Sequence, residues 1–129
     1  MRKNNDTTSG SAAIEFALLM SLLLVPLLAG IWDAAKIIDM NQILTRAARE
    51  GVIMASRGDD PAETVLSYVA SEGLTTDNLT VSVELGPDDR DLGQEVSVSL
   101  NYNFADSTVF PWDNLMPGGM TTVARAKME

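Results

Sequence analysis

Positions 11 to 32 form a run of 22 residues, apolar apart from two serines, with one charge, the acid Glu15. As a helix this run is about 33 Å long, enough for a hydrocarbon core of about 30 Å. Pro26 lies inside it, removes one backbone donor and predicts a bend. Proline and glycine, here Pro26 and Gly30, are commoner in membrane helices than in soluble ones. Beyond Trp32 the pattern thins to a stripe. Ile37, Met40, Leu44, Ala47, Gly51 and Met54 recur at alternating spacings of three and four, while Arg46, Arg49, Glu50 and Arg57 fall off it. That is one face of an amphipathic helix. The spacing predicts one continuous helix from about Ser11 to about Arg57, about 70 Å long. Its first half suits a membrane and its second half suits a small domain. Ala47, Ala48, Gly51 and Ala55 are small, so another element should approach closely there.

Gly58-Asp59-Asp60-Pro61 breaks the pattern. Asp60 as N-cap, Pro61 at the first helical position and Glu63 at the third predict a second helix, about 61–72. Val65, Leu66, Tyr68 and Val69 give it an apolar face, and Gly73 predicts its C-cap. The period then switches to two. Leu79, Val81, Val83 and Leu85 alternate with Asn78, Thr80, Ser82 and Glu84. After a turn-rich stretch at 86–93, Val96, Val98, Leu100, Tyr102 and Phe104 alternate with Ser97, Ser99, Asn101 and Asn103. The pair reads as a hairpin. The run at 121–128 supplies a third strand, which a hairpin needs for stability along with the helix. The expected fold is α+β: a long N-terminal transmembrane-plus-amphipathic helix, a short second helix, and a three-stranded antiparallel sheet packed on the long helix. The segments are 1–10 ahead of the apolar run, 11–32 across the membrane, and 33–129 as the domain, including the helix continuation to about 57.

Composition narrows the chemistry. The 129 residues include neither cysteine nor histidine. Disulfides, thiolate metal sites and cysteine nucleophiles are excluded, and the commonest general base and metal ligand is missing. No acid pair with a nucleophile, no Gly-rich phosphate loop and no basic patch appears, so an enzyme is not expected, nor a cofactor. Net charge is −9, and the part from Asp33 onward has seven basic and sixteen acidic residues. Such a surface opposes phosphate backbones, so nucleic acid is not an expected partner. Arg2 and Lys3 precede the apolar run. The asymmetry predicts a cytoplasmic N-terminus and a C-terminal domain across the membrane. A removed signal peptide fits poorly, because candidate cleavages after Gly30, Ala34 or Ala35 would place Leu28, Trp32 or Asp33 where a small residue is needed.

Glu15 is the costly residue. An acid at the centre of a membrane helix costs about 2.5–3.5 kcal/mol, and less near an end. An ordinary anchor could let it snorkel to the headgroups. Its spacing suggests more, since Gly10 lies just before the run, Glu15 is the fifth residue after it and Phe16 the sixth. This is similar to a type IV prepilin processing site. The stretch Gly10-Ser11-Ala12-Ala13-Ile14-Glu15-Phe16-Ala17, the apolar run, and then Arg46-Ala47-Ala48-Arg49-Glu50-Gly51 resemble TadE-like proteins. These are minor pilins, or pseudopilins, of the tight-adherence (Flp, type IVc) pilus system. The terminal Ala124-Arg125-Ala126-Lys127-Met128-Glu129 is similar to their last strand. Ala17 stands where major Flp pilins often have tyrosine beside the phenylalanine, and those pilins lack a domain like residues 60–129.

The resemblance implies an inner-membrane precursor with a cytoplasmic leader, residues 1–10, and a periplasmic or extracellular domain. It implies cleavage by a prepilin peptidase between Gly10 and Ser11, and subunit assembly through Glu15 and Phe16. Ala12, Ala13 and Ala17 would permit close helix packing. The implied partners are the peptidase, the major Flp pilin, a TadF-like minor pilin and the inner-membrane assembly platform. The implied role is to prime or cap an adhesive filament. A pseudopilin of a type II secretion system shares the processing site, and an unprocessed membrane-anchored binding module is a further alternative. Phe110, Trp112, Leu115 and Met116 in the 105–119 loop either contact a partner or cover an open sheet edge. Asp88, Asp89, Asp91 and Glu95 offer oxygen ligands for calcium but lack a recognised loop spacing, and read as a solvated turn. Asn78-Leu79-Thr80 matches a glycosylation sequon and reads as chance.

Overall fold

In the computed structural model, which describes residues 6–85, 93–104, 108–110, 114 and 119–129, the chain begins with one 51-residue helix, α1 (Asp6–Ser56). It is about 75 Å long and runs through Pro26 without a break. The helix opens upstream of the expected start, within a run of aspartate, threonine and serine that favours helix N-termini. The Gly10–Ser11 bond therefore lies inside the helix. The next elements are α2 (Pro61–Ser71), a single 3-10 turn (Thr76–Asn78), and strands β1 (Leu79–Leu85), β2 (Glu95–Tyr102) and β3 (Met120–Lys127). The sheet order is β1-β2-β3, antiparallel throughout. This is the α+β architecture read from the sequence, with β3 displaced by one residue.

Both helices end in the same way. Gly58 and Gly73 adopt left-handed φ values of +87° and +83°. Asp59 N–H then donates to Met54 O at 3.1 Å, and Leu74 N–H to Val69 O at 3.2 Å. These Schellman motifs satisfy carbonyls that a helix end otherwise leaves bare, and glycine takes the conformation without a Cβ penalty. At the other end of α2, Asp60 accepts from Ala62 N–H at 2.9 Å, with Pro61 at the first turn. The N-cap expected from sequence is in place.

Register puts one row of side chains under the helices. Leu79 pairs with Tyr102, Val81 with Leu100, Val83 with Val98 and Leu85 with Val96. Tyr102, Leu100, Val98 and Val96 then pair with Met120, Thr122, Ala124 and Ala126. The β2 members of the row are fully buried, while Val83 and Leu85 remain exposed on β1, because α1 packs on β2 and β3. Met40, Leu44, Ala47, Ala48, Val52 and Ala55 of α1 join Val65 and Val69 of α2 and this row, with Phe104 beyond it, in one core. Met54, expected on the stripe, is only half-buried, and Val52 and Ala55 replace it. A 3.5-residue repeat drifts around a straight helix of 3.6 residues per turn, so the buried face moves to neighbouring positions. Leu66 likewise stays exposed while Pro61, Val65 and Val69 form the buried face of α2.

The small residues of α1 are used where expected. A Cβ on Gly51 would lie 2.6 Å from Val65 Cγ2 and 3.4 Å from Val98 Cγ1. The hydrogen at this position lets α2 and β2 meet α1 together.

Candidate functional site

Among the described residues, nothing packs on α1 from position 10 to position 28, where every residue is exposed. The most apolar window of the helix has a mean hydropathy of 2.3 and none of it is buried, and by length and composition it is able to cross a membrane. Ile14, Phe16, Leu18, Leu19, Leu22, Leu23, Val25 and Leu27 are all exposed. Burying so much apolar surface is favourable at about 25 cal/mol per Å², so a covering medium or partner is expected.

Polar groups on this half are handled locally. Ser21 Oγ donates back to Ala17 O at 2.5 Å, which hides the hydroxyl in the helix. Ser11 Oγ donates to Glu15 Oε1 at 3.4 Å, one helical turn away. Gly10, Ser11, Glu15 and Phe16 are all exposed. The structure therefore brings Ser11 and Glu15 onto one face, with Gly10 one residue before and Phe16 one residue after. A Cβ on Gly10 would meet no atom within 4 Å, so packing within the chain does not demand glycine there.

A second feature lies at the join between the bare half and the domain. Asp33 is 1% exposed. Its Oδ2 accepts from Val109 N–H at 3.0 Å and from Phe110 N–H at 2.9 Å, and its Oδ1 lies 3.1 Å from Val109 N. Phe110 packs its ring toward Gly30, with Cε2 3.9 Å from where a glycine Cβ would stand. Thr108 Oγ1 donates to Phe110 O at 3.0 Å, which tightens the same turn. Among the described residues no buried side-chain nitrogen or oxygen lacks a hydrogen-bond partner. The sequence pattern gave a signal for Asp33 that the stripe reading did not use. Extended upstream, the three-and-four spacing passes from Ile37 to Asp33 and then Gly30. An acid at a position assigned to the core predicts a buried, partnered carboxylate.

Of the four loop residues singled out from sequence, Phe110 is placed against α1 at Gly30. Trp112, Leu115 and Met116 lie outside the described residues, as do Asp88, Asp89 and Asp91 of the acidic turn. Glu95 is described, and forms an exposed ion pair with Arg125 at 3.5 Å.

The fold and these sites define a class: a small α+β domain carried on the second half of a long helix whose first half is bare and apolar. Within that class, residues 10–52 match the family model of TadE-like proteins. The match covers about a third of the chain, starts at Gly10 and lies wholly within α1. Neither the curated proteins nor the solved structures give a match to the chain.

Proposed function

We propose that this chain is a minor pilin, or pseudopilin, of a tight-adherence (Flp-type) pilus. The observation that carries the reading is that the TadE-like segment opens at Gly10 and holds Glu15 on a bare apolar helix. In this reading residues 11–32 span the inner membrane. Arg2 and Lys3 hold the N-terminus in the cytoplasm, and the acidic domain stands on the other side. Prepilin peptidase cuts between Gly10 and Ser11 and leaves an amino group on Ser11. That amine pairs with Glu15 of a neighbouring subunit, and Phe16 packs beside the pair. A charge pair in an apolar setting need not add net stability, but an unpaired charge there is costly, so wrong registers are penalised. Register selection is what a helical filament needs when subunits leave the bilayer one at a time.

The present neutral partner of Glu15, the Ser11 hydroxyl, supports the assignment. It is long at 3.4 Å and belongs to the residue that would become the new N-terminus. The domain, larger than a filament shaft subunit of this system requires, suits a role in priming or capping assembly with other Tad pilins.

The test is Glu15→Ala, followed separately in the membrane and in sheared filaments. The expected result is normal removal of residues 1–10 and loss of the protein from the filament fraction. A variant that enters filaments as well as the wild type does would overturn the assembly role.

A further inference from the structure

We propose that the turn carrying Val109 and Phe110 is a membrane foot, resting in the boundary between headgroups and hydrocarbon where α1 emerges from the bilayer. The proposal rests on residues 11–32 being a membrane span, and not on processing or on filament assembly.

Height along the helix is the first argument. Phe110 reaches Gly30, two residues below the end of the apolar run at Trp32, which is a drop of roughly 3 Å. A span of about 33 Å in a core of about 30 Å leaves Gly30 at the hydrocarbon edge. The turn is thus held at the level of the membrane surface by the same helix that crosses it. Asp33 does the holding. A buried carboxylate is costly unless its hydrogen bonds are made, and here backbone N–H groups of the turn make them.

The residues at the tip suit that level. Val109 is 73% exposed and Phe110 37% exposed, although both sit on a turn that water would favour as polar. On the other side of α1, Trp32 is 72% exposed, and Lys36 follows one turn beyond it. Tryptophan and lysine are the usual anchors at a membrane surface, with the ring among the headgroups and the ammonium reaching out. At 100° per residue, Trp32 points roughly 130° away from the middle of the face that carries Gly30 and Asp33, while Lys36, three residues beyond Asp33, lies between the two. The helix is therefore flanked at one height by an aromatic on one side and by the apolar turn on the other. Two such supports fix the tilt of the domain over the bilayer, which a single helix leaves free. The occupant of the turn's apolar surface is lipid, because Phe110 meets α1 at Gly30, on the apolar run itself and level with the hydrocarbon edge.

The chain has no cysteine, so single cysteines can be placed at will. Three full-length variants, Val109→Cys, Trp32→Cys and Ser82→Cys, would carry an environment-sensitive fluorophore in phosphatidylcholine–phosphatidylglycerol vesicles at low protein density. The vesicles would contain lipids with a nitroxide near the headgroup end of the acyl chain. The expected result is loss of most emission at positions 109 and 32 and full emission at 82, on the outer face of β1. Asp33→Ala in the Val109→Cys background should return emission toward the level at 82. Full emission at 109 with quenching at 32 would overturn the foot and leave the span standing. Full emission at both positions would remove the span and the foot together. Lipid quenching at 109 that disappears as protein density rises would assign the turn to the apolar helix of a neighbouring copy, which also overturns the proposal.

Discussion

Asp33 Oδ2 accepts a hydrogen bond from Phe110 N–H at 2.9 Å across 77 positions of sequence, and so ties the end of the apolar helix to a turn of the domain. The contact joins two levels of the structure. The helix positions of Gly30 and Asp33 are fixed by the same period that builds the core further along α1. The turn is fixed by a carboxylate that has left water.

Asp33→Ala leaves two backbone N–H groups without their acceptor in a part-buried place. Hydrogen bonds to charged groups contribute roughly 1.5–3 kcal/mol each, so the loss of two should be about 3–6 kcal/mol, with the lower end expected because the contact is part-buried. Asp33→Asn keeps an acceptor oxygen and should lose less than half as much. Denaturant unfolding of the detergent-solubilised protein, followed by far-ultraviolet circular dichroism, measures both. Equal stability of Asp33→Ala and wild type would show that the tie holds nothing.

Gly51→Ala should destabilise the domain by about 1–3 kcal/mol through overpacking. The added methyl would stand 2.6 Å from Val65 Cγ2. Val65→Ala in the same chain should recover part of that cost, because it removes the atom in the way. A double-mutant cycle isolates the coupling, and strictly additive single effects would place the clash elsewhere.

Asp60→Ala should cost about 1 kcal/mol, the ordinary loss of an N-cap, since Ala62 N–H loses its side-chain acceptor. Asp60→Ser should cost little. The thermal midpoint of the two variants, measured side by side, checks the ranking.

Arg125→Ala should change stability by less than about 0.5 kcal/mol. Its ion pair with Glu95 is exposed at both ends, with side chains 69% and 60% accessible. A larger effect would mean that the guanidinium serves a contact beyond the isolated chain, and an assembly assay with the same variant would then be informative.

Most of the fold was legible because each element has a strong local pattern. Asp60-Pro61 and Gly73 bracket α2, and the period-two runs at 79–85 and 96–104 give the hairpin with its inward face. What pattern could not give was the width of the buried face on α1. The stripe placed Met54 in the core, whereas the structure buries Val52 and Ala55, since which of two adjacent faces is covered depends on where α2 lands. Gly51 marked that landing place but not its occupant, Val65. The candidate site divides in the same way. Gly10, Ser11, Glu15 and Phe16 were legible as a local spacing, and they lie on consecutive turns of one helix. The Asp33 tie has half a signature in the sequence: the three-and-four spacing carries the acid onto the core face, but its partners are backbone groups 76 and 77 residues away, which no side-chain pattern announces.

The central claim is that this chain is processed as a prepilin, and the N-terminal residue of the mature protein tests it most directly. Mass spectrometry of membranes from cells with and without the prepilin peptidase would read it. The account predicts a chain beginning at Ser11 that reverts to the uncleaved precursor when the peptidase is absent. A chain that retains residues 1–10 in peptidase-competent cells would contradict it, and would leave a domain anchored in the membrane by an unprocessed helix.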